Sequence, residues 1–132
     1  MKKRNKFQQK KKINPWLFWS PRILTILFIC FLALFSLDVF DGNSSLSQIL
    51  LGLLMHNIPS LILLVVLIIS WKYELFGAIA FALAGLFYIL MIALPISINS
   101  FNIYNFIAIL TISLPAFIIA ILFYLNYLKK KK

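Results

Sequence analysis

Four long apolar stretches run through this sequence, divided by three short polar breaks. Crossing a hydrocarbon core of about 30 Å takes roughly 20 helical residues, with a range of about 17–25. The stretches lie at about 22–40, 46–70, 75–98 and 103–128. Each is apolar all round, the pattern of a helix surrounded by lipid tails. The breaks are Asp41-Gly42-Asn43-Ser44-Ser45, Trp71-Lys72-Tyr73-Glu74 and Asn99-Ser100-Phe101-Asn102. Connections this short force consecutive helices to lie antiparallel. The predicted fold is all-α: an antiparallel four-helix transmembrane bundle, with a leader at 1–21 and a tail at 129–132.

Composition points the same way. Of 132 residues, 63% are hydrophobic and 12% charged. Soluble domains carry about 45–50% apolar and about 25% charged residues, so this chain has too little polar surface to coat a core in water. Disorder is excluded as well, because it requires low hydrophobicity. The single cysteine, Cys30, excludes an internal disulfide and thiol-pair redox chemistry.

Charge adds orientation. There are 13 basic against 3 acidic residues, a formal charge of +10. Threaded on four spans, every basic residue falls on one side: in the leader with Arg22, at Lys72, and in the tail. Basic flanks mark the cytoplasmic side, so a multi-pass cell-membrane protein with both termini cytoplasmic is expected. Lys2, Lys3, Arg4, Lys6, Lys10, Lys11, Lys12 and Arg22 are expected to contact anionic headgroups, at about 1 kcal/mol each. Held against a membrane, that leader suits lipid and not nucleic acid. Pro15 and Pro21 are expected to break the leader before the first span, with Arg22 snorkelling to the interface. An Arg22–Glu74 pair is within reach at that boundary, and if exposed it contributes only about 0–1 kcal/mol. Reading the first span as a signal peptide fits poorly, because Asp38-Val39-Phe40 stands where a small-residue cleavage site is needed.

Chemistry has few candidates. At a rise of about 1.5 Å per residue, His56, Tyr88 and Thr111 lie roughly 12–15 Å from the outer boundary, a depth that suits one polar layer. Gly52, His56, Ser60, Ser70 and Glu74 fall within one arc of the second span, expected to face the interior. Pro59 and Pro115 free the carbonyls of Met55 and Thr111, which need new donors in lipid. His56 and Tyr88 are the expected donors. Asp38, about one turn inside the outer boundary, is the remaining candidate for the layer. Residues of this kind within a membrane are functional hypotheses by default, set against the simpler role of satisfying the kinks. No catalytic residue, metal site or cofactor is expected.

A family resemblance runs from about Pro15 to Leu128. It is carried by Asn14-Pro15-Trp16, Pro21-Arg22-Ile23-Leu24, Asp38-Val39-Phe40, His56 with Pro59-Ser60, Trp71-Lys72-Tyr73-Glu74 before Gly77, and Gly85-Leu86-Phe87-Tyr88. With these residues the chain resembles a family of small prokaryotic four-span membrane proteins of unknown function. In the last span Pro115 precedes Ile121-Leu122-Phe123 as in that family, with Ala120 where glycine is expected. The resemblance implies the architecture and no activity. The functional expectation is a non-enzymatic accessory or structural membrane component, whose partners are anionic lipid and a second copy or another membrane protein. The competing expectation is a homo-oligomeric transporter or channel using the layer around His56.

Overall fold

The computed structural model describes residues 14–40, 45–94 and 102–131. The leader lysines Lys2, Lys3, Lys6, Lys10, Lys11 and Lys12, with Arg4, lie outside the described residues, as do positions 95–98 of the expected third span. Four helices follow one another: α1 (Pro15–Leu34), α2 (Leu46–Ser70), α3 (Glu74–Ala93) and α4 (Ile103–Lys131). A 3₁₀ segment, Phe35–Val39, prolongs α1 and carries Asp38. All four are long and apolar enough to cross a membrane.

Three boundaries follow local rules, and one corrects the sequence reading. Ser45 and Gln48 form a capping box at the start of α2, with the Ser45 N–H donating to Gln48 Oε1 at 2.9 Å. Glu74 opens α3 at the positive end of its dipole, and Lys129, Lys130 and Lys131 close α4 at the negative end. The first span, by contrast, starts at Pro15 and not near Arg22. Asn14 caps it by accepting from the Trp16 N–H at 3.2 Å, and Pro15 occupies the first turn, where its missing N–H costs nothing. Pro21 stands inside the helix, where it was expected to end the leader.

The helices pack in a ring, α1–α2–α3–α4 and back to α1, and among the described residues neither diagonal pair approaches by backbone. The α3–α4 contact is the most extensive. Its basis is small residues: Gly77, Ala78 and Gly85 on α3 face Ala116 and Ala120 on α4, all of them buried. Ala120, standing where the resemblance expects glycine, is accommodated at this contact. Ser113 Oγ donates across it to the Gly85 carbonyl at 3.2 Å. Phe81 and Phe123 stack at the centre, 6.0 Å apart and 14° from parallel.

The core therefore occupies one half of the bundle. Phe28, Leu63, Leu67, Phe81, Ile119 and Phe123 all lie toward the end that holds the start of α1, the end of α4 and the α2–α3 connection. In the other half, Phe87, Leu90, Ile103 and Ile107 remain exposed. Replacing Phe123 by alanine is expected to destabilise the bundle by about 2 kcal/mol, from a cavity of about 100 Å³ at ~24 cal/mol per Å³. The transfer term is absent because the alternative surroundings are also apolar. A detergent-denaturation midpoint unchanged from wild type would show that the ring stack is not a core contact.

Candidate functional site

Arg22, Thr25, Ser70, Glu74 and Asn126, all buried, gather at the end of the bundle that holds the start of α1 and the end of α4. Pro21 has no N–H, so the Leu17 carbonyl lacks its usual donor four residues on. Two side chains supply replacements: Asn126 of α4, its Nδ2 donating to the Leu17 carbonyl at 2.6 Å, and Ser20 of α1, whose Oγ donates to it at 3.3 Å. One turn along, Thr25 Oγ1 returns to the Pro21 carbonyl at 2.6 Å. The proline inside α1 is thus held by a side chain from α4, and the helix continues through it.

Arg22 sits beside this substitution and is fully buried, at 0% exposure. Its Nη1 donates to the Phe18 carbonyl, and its Nη2 donates to Glu74 Oε1 at 3.2 Å and the Trp71 carbonyl at 3.5 Å. The guanidinium carbon lies 3.6 Å from the centre of the Phe18 ring, close enough for a cation–π contact. Glu74, at 3% exposure, also receives Lys130 from α4, with Nζ 2.9 Å from the same Oε1. One carboxylate thus joins α1, α3 and α4, and one guanidinium adds the α2–α3 connection.

The burial changes the expected role of Arg22. An arginine that snorkels to headgroups keeps its charged end in water or phosphate. This one has an acidic partner across the bundle, on a diagonal where the backbones do not meet. Lipid contact by Arg22 is accordingly corrected to an internal ion pair. Within the cluster Arg22 Nε, Glu74 Oε2 and Asn126 Oδ1 have no hydrogen-bond partner, which leaves one donor and two acceptors in reserve.

The expected polar layer is not assembled. His56 Nδ1 donates to the Gly52 carbonyl of its own helix at 2.9 Å, and Thr111 Oγ1 donates to the Ile107 carbonyl at 2.8 Å. Both residues are exposed, as is Asp38, and Tyr88 is half-buried. Among the described residues no hydrogen bond joins any two of the four. Nor do His56 and Tyr88 serve the carbonyls that Pro59 and Pro115 release. At about 100° per residue Thr111 projects away from the arc that buries Ser113, Ala116 and Ala120. His56, in contrast, lies within the arc that buries Ser60, Leu63, Leu67 and Ser70, yet nothing covers it. The inward arc was right for Ser60, Ser70 and Glu74; at His56 it meets the loosely filled half.

Asn126 was not among the candidate site residues read from the sequence. The signal that would have found its role is the pairing of Pro21 with the carbonyl of Leu17. The cluster brings one carboxylate and two cations to a dry site without a histidine or thiol. Among the described residues no three histidine, cysteine, aspartate or glutamate side chains converge to hold a metal ion. What the arrangement does chemically is clamp helices together.

Comparison with known proteins adds one match. No curated protein and no solved structure matches the chain. A family model described as a domain of unknown function, DUF7670, matches residues 9–132, which takes in all four helices and the charge cluster, and the chain belongs to that family.

Proposed function

We propose that the chain is a non-enzymatic accessory or structural component of a prokaryotic cell membrane, with both termini cytoplasmic. The observation that supports this is the commitment of Arg22 and Glu74 to each other, at 3.2 Å and out of contact with solvent. Charges inside a membrane that serve transport or catalysis face a cavity or a substrate path. Arg22 is engaged by two carbonyls, an aromatic ring and Glu74, and Glu74 by Arg22 and Lys130, as in a clamp. The surface left outside the bundle is apolar, notably Leu50, Leu54, Leu61 and Ile68 of α2, and it suits lipid tails or the spans of another membrane protein.

A second reading, a small homo-oligomeric transporter or channel, draws on His56. Its Nδ1 is held by Gly52, so Nε2 is left as a free acceptor on the inward arc. One turn deeper, the buried Ser60 Oγ has no partner. The test is flux of protons and monovalent cations into liposomes carrying wild type or His56→Ala. Rates equal to those of empty liposomes for both proteins are the expected result. Flux above that level, lost in His56→Ala, overturns the accessory reading in favour of transport.

A further inference from the structure

Beside the charge cluster lies a recess of about 420 Å³. Lys72, Tyr73 and Leu75 line it from the α2–α3 connection and the start of α3; Tyr127, Lys130 and Lys131 line it from the end of α4. Glu74 contributes to the wall between them. That carboxylate is already balanced by Arg22 at 3.2 Å. The three lysines therefore face the recess with an excess of positive charge, and the site calls for an anion.

Its level in the bundle says which anion. Tyr73 and Tyr127 line the recess, amphipathic rings of the kind that marks the headgroup layer, and Tyr124 stacks on Tyr127 with ring centres 6.4 Å apart. Leu75, at 37% exposure, gives it an apolar wall on the side of the spans. Lys72 and Tyr73 both line the recess, with the Lys72 Nζ 5.4 Å from the Tyr73 ring centre. Lys130 is held at 2.9 Å by Glu74, and Lys131 follows it on the last turn of α4. Flat attraction of lipid by a basic tail needs none of this; here two separate chain segments set lysines around one concavity.

We infer that this recess is a binding site for one anionic phospholipid, whose headgroup phosphate is held by Lys72, Lys130 and Lys131 and whose acyl chains run down from Leu75. It rests on the transmembrane reading of the four helices and is independent of whether the chain serves a partner. The bound lipid would tie the end of α4 to the α2–α3 connection, across the face where Glu74 and Lys130 already meet.

The full chain in non-ionic detergent, titrated with phosphatidylglycerol or phosphatidylcholine and read by native mass spectrometry, tests the site. Wild type is expected to hold one phosphatidylglycerol more tightly than the rest, and to hold phosphatidylcholine more weakly. The double substitution Lys72→Gln/Lys131→Gln leaves Lys130 on Glu74 and is expected to raise the Kd of that first lipid about 30-fold. Lys129→Gln, on the same turn of α4 but outside the lining of the recess, is expected to leave it near wild type. Three outcomes overturn the proposal: unchanged binding by the Lys72/Lys131 variant, an equal loss in Lys129→Gln, or full displacement of the lipid by millimolar inorganic phosphate, which would assign the recess to a free anion. If His56-dependent flux appears while the lipid result holds, the accessory reading fails and the site stands.

Discussion

Replacing Arg22 by methionine is expected to lower stability by about 3–5 kcal/mol, read as an earlier midpoint when the protein in mixed micelles is titrated with SDS. The loss comes less from the attraction that disappears than from the carboxylate left behind. Glu74 is 3% exposed, and without Arg22 its remaining partner is Lys130, whose side chain is 42% exposed and shared with water. The double variant Arg22→Met/Glu74→Met is expected to return to near wild type, because removing both charges also removes the desolvation cost. Arg22→Lys should fall between the two. A lysine carries no planar fork to bond the Phe18 carbonyl through one nitrogen and Glu74 with the Trp71 carbonyl through another, while lying on the Phe18 ring. The magnitude decides between two descriptions of the residue. A boundary pair reaching water contributes about 0–1 kcal/mol, so a loss that small would return Arg22 to the lipid surface.

Gly77→Leu is expected to cost about 3 kcal/mol or more, for a steric reason. A Cβ at Gly77 would lie 2.5 Å from Ser70 Oγ, 2.7 Å from Ser70 Cβ and 3.2 Å from Phe123 Cγ. None of these neighbours can retreat easily. Ser70 Oγ is engaged with the Val66 carbonyl at 2.5 Å, and Phe123 is stacked on Phe81. Relief requires α3 to move away from both α2 and α4. Glu74 lies one turn from Gly77, so the same movement pulls its carboxylate from Arg22 and Lys130. The clash and the charge cluster are therefore coupled, and Gly77→Leu combined with Arg22→Met should cost less than the sum of the two alone. A strictly additive double variant would show that the helix does not shift.

The spans were legible because length and apolarity are enough to specify them in lipid. The second span was expected at 46–70 and is observed at Leu46–Ser70, and the fourth begins at Ile103 as expected. The start of the first span was misread through Pro21. A proline normally argues for a boundary, and it stands inside this helix because Asn126 donates to the carbonyl that it orphans, 109 positions away in sequence. No local pattern carries that information. The polar layer failed for a related reason. Depth and angle can be computed for each helix alone, but whether His56 is covered depends on how close the neighbouring helices come in that half of the bundle. Small residues draw α3 and α4 together around Gly77 and Gly85, and their scarcity at Phe87 to Met91 leaves the histidine uncovered. Burial of Arg22 and Glu74 is the same lesson with opposite outcome: their proximity was readable, while the dry setting that makes it matter was not.

The hydrogen bond from Asn126 to Leu17 also sets an order of events during synthesis. At about 5–20 residues per second, some 5–20 s separate the appearance of these two residues. Through that interval α1 sits in the bilayer with only the Ser20 hydroxyl, at 3.3 Å, donating to its Leu17 carbonyl, and with Arg22 waiting for Glu74. Arrival of α3 supplies the carboxylate; only α4 brings Asn126 and Lys130. The last helix made is the one that completes the first, and any insertion factor or lipid that shields α1 in the meantime acts on an unfinished protein.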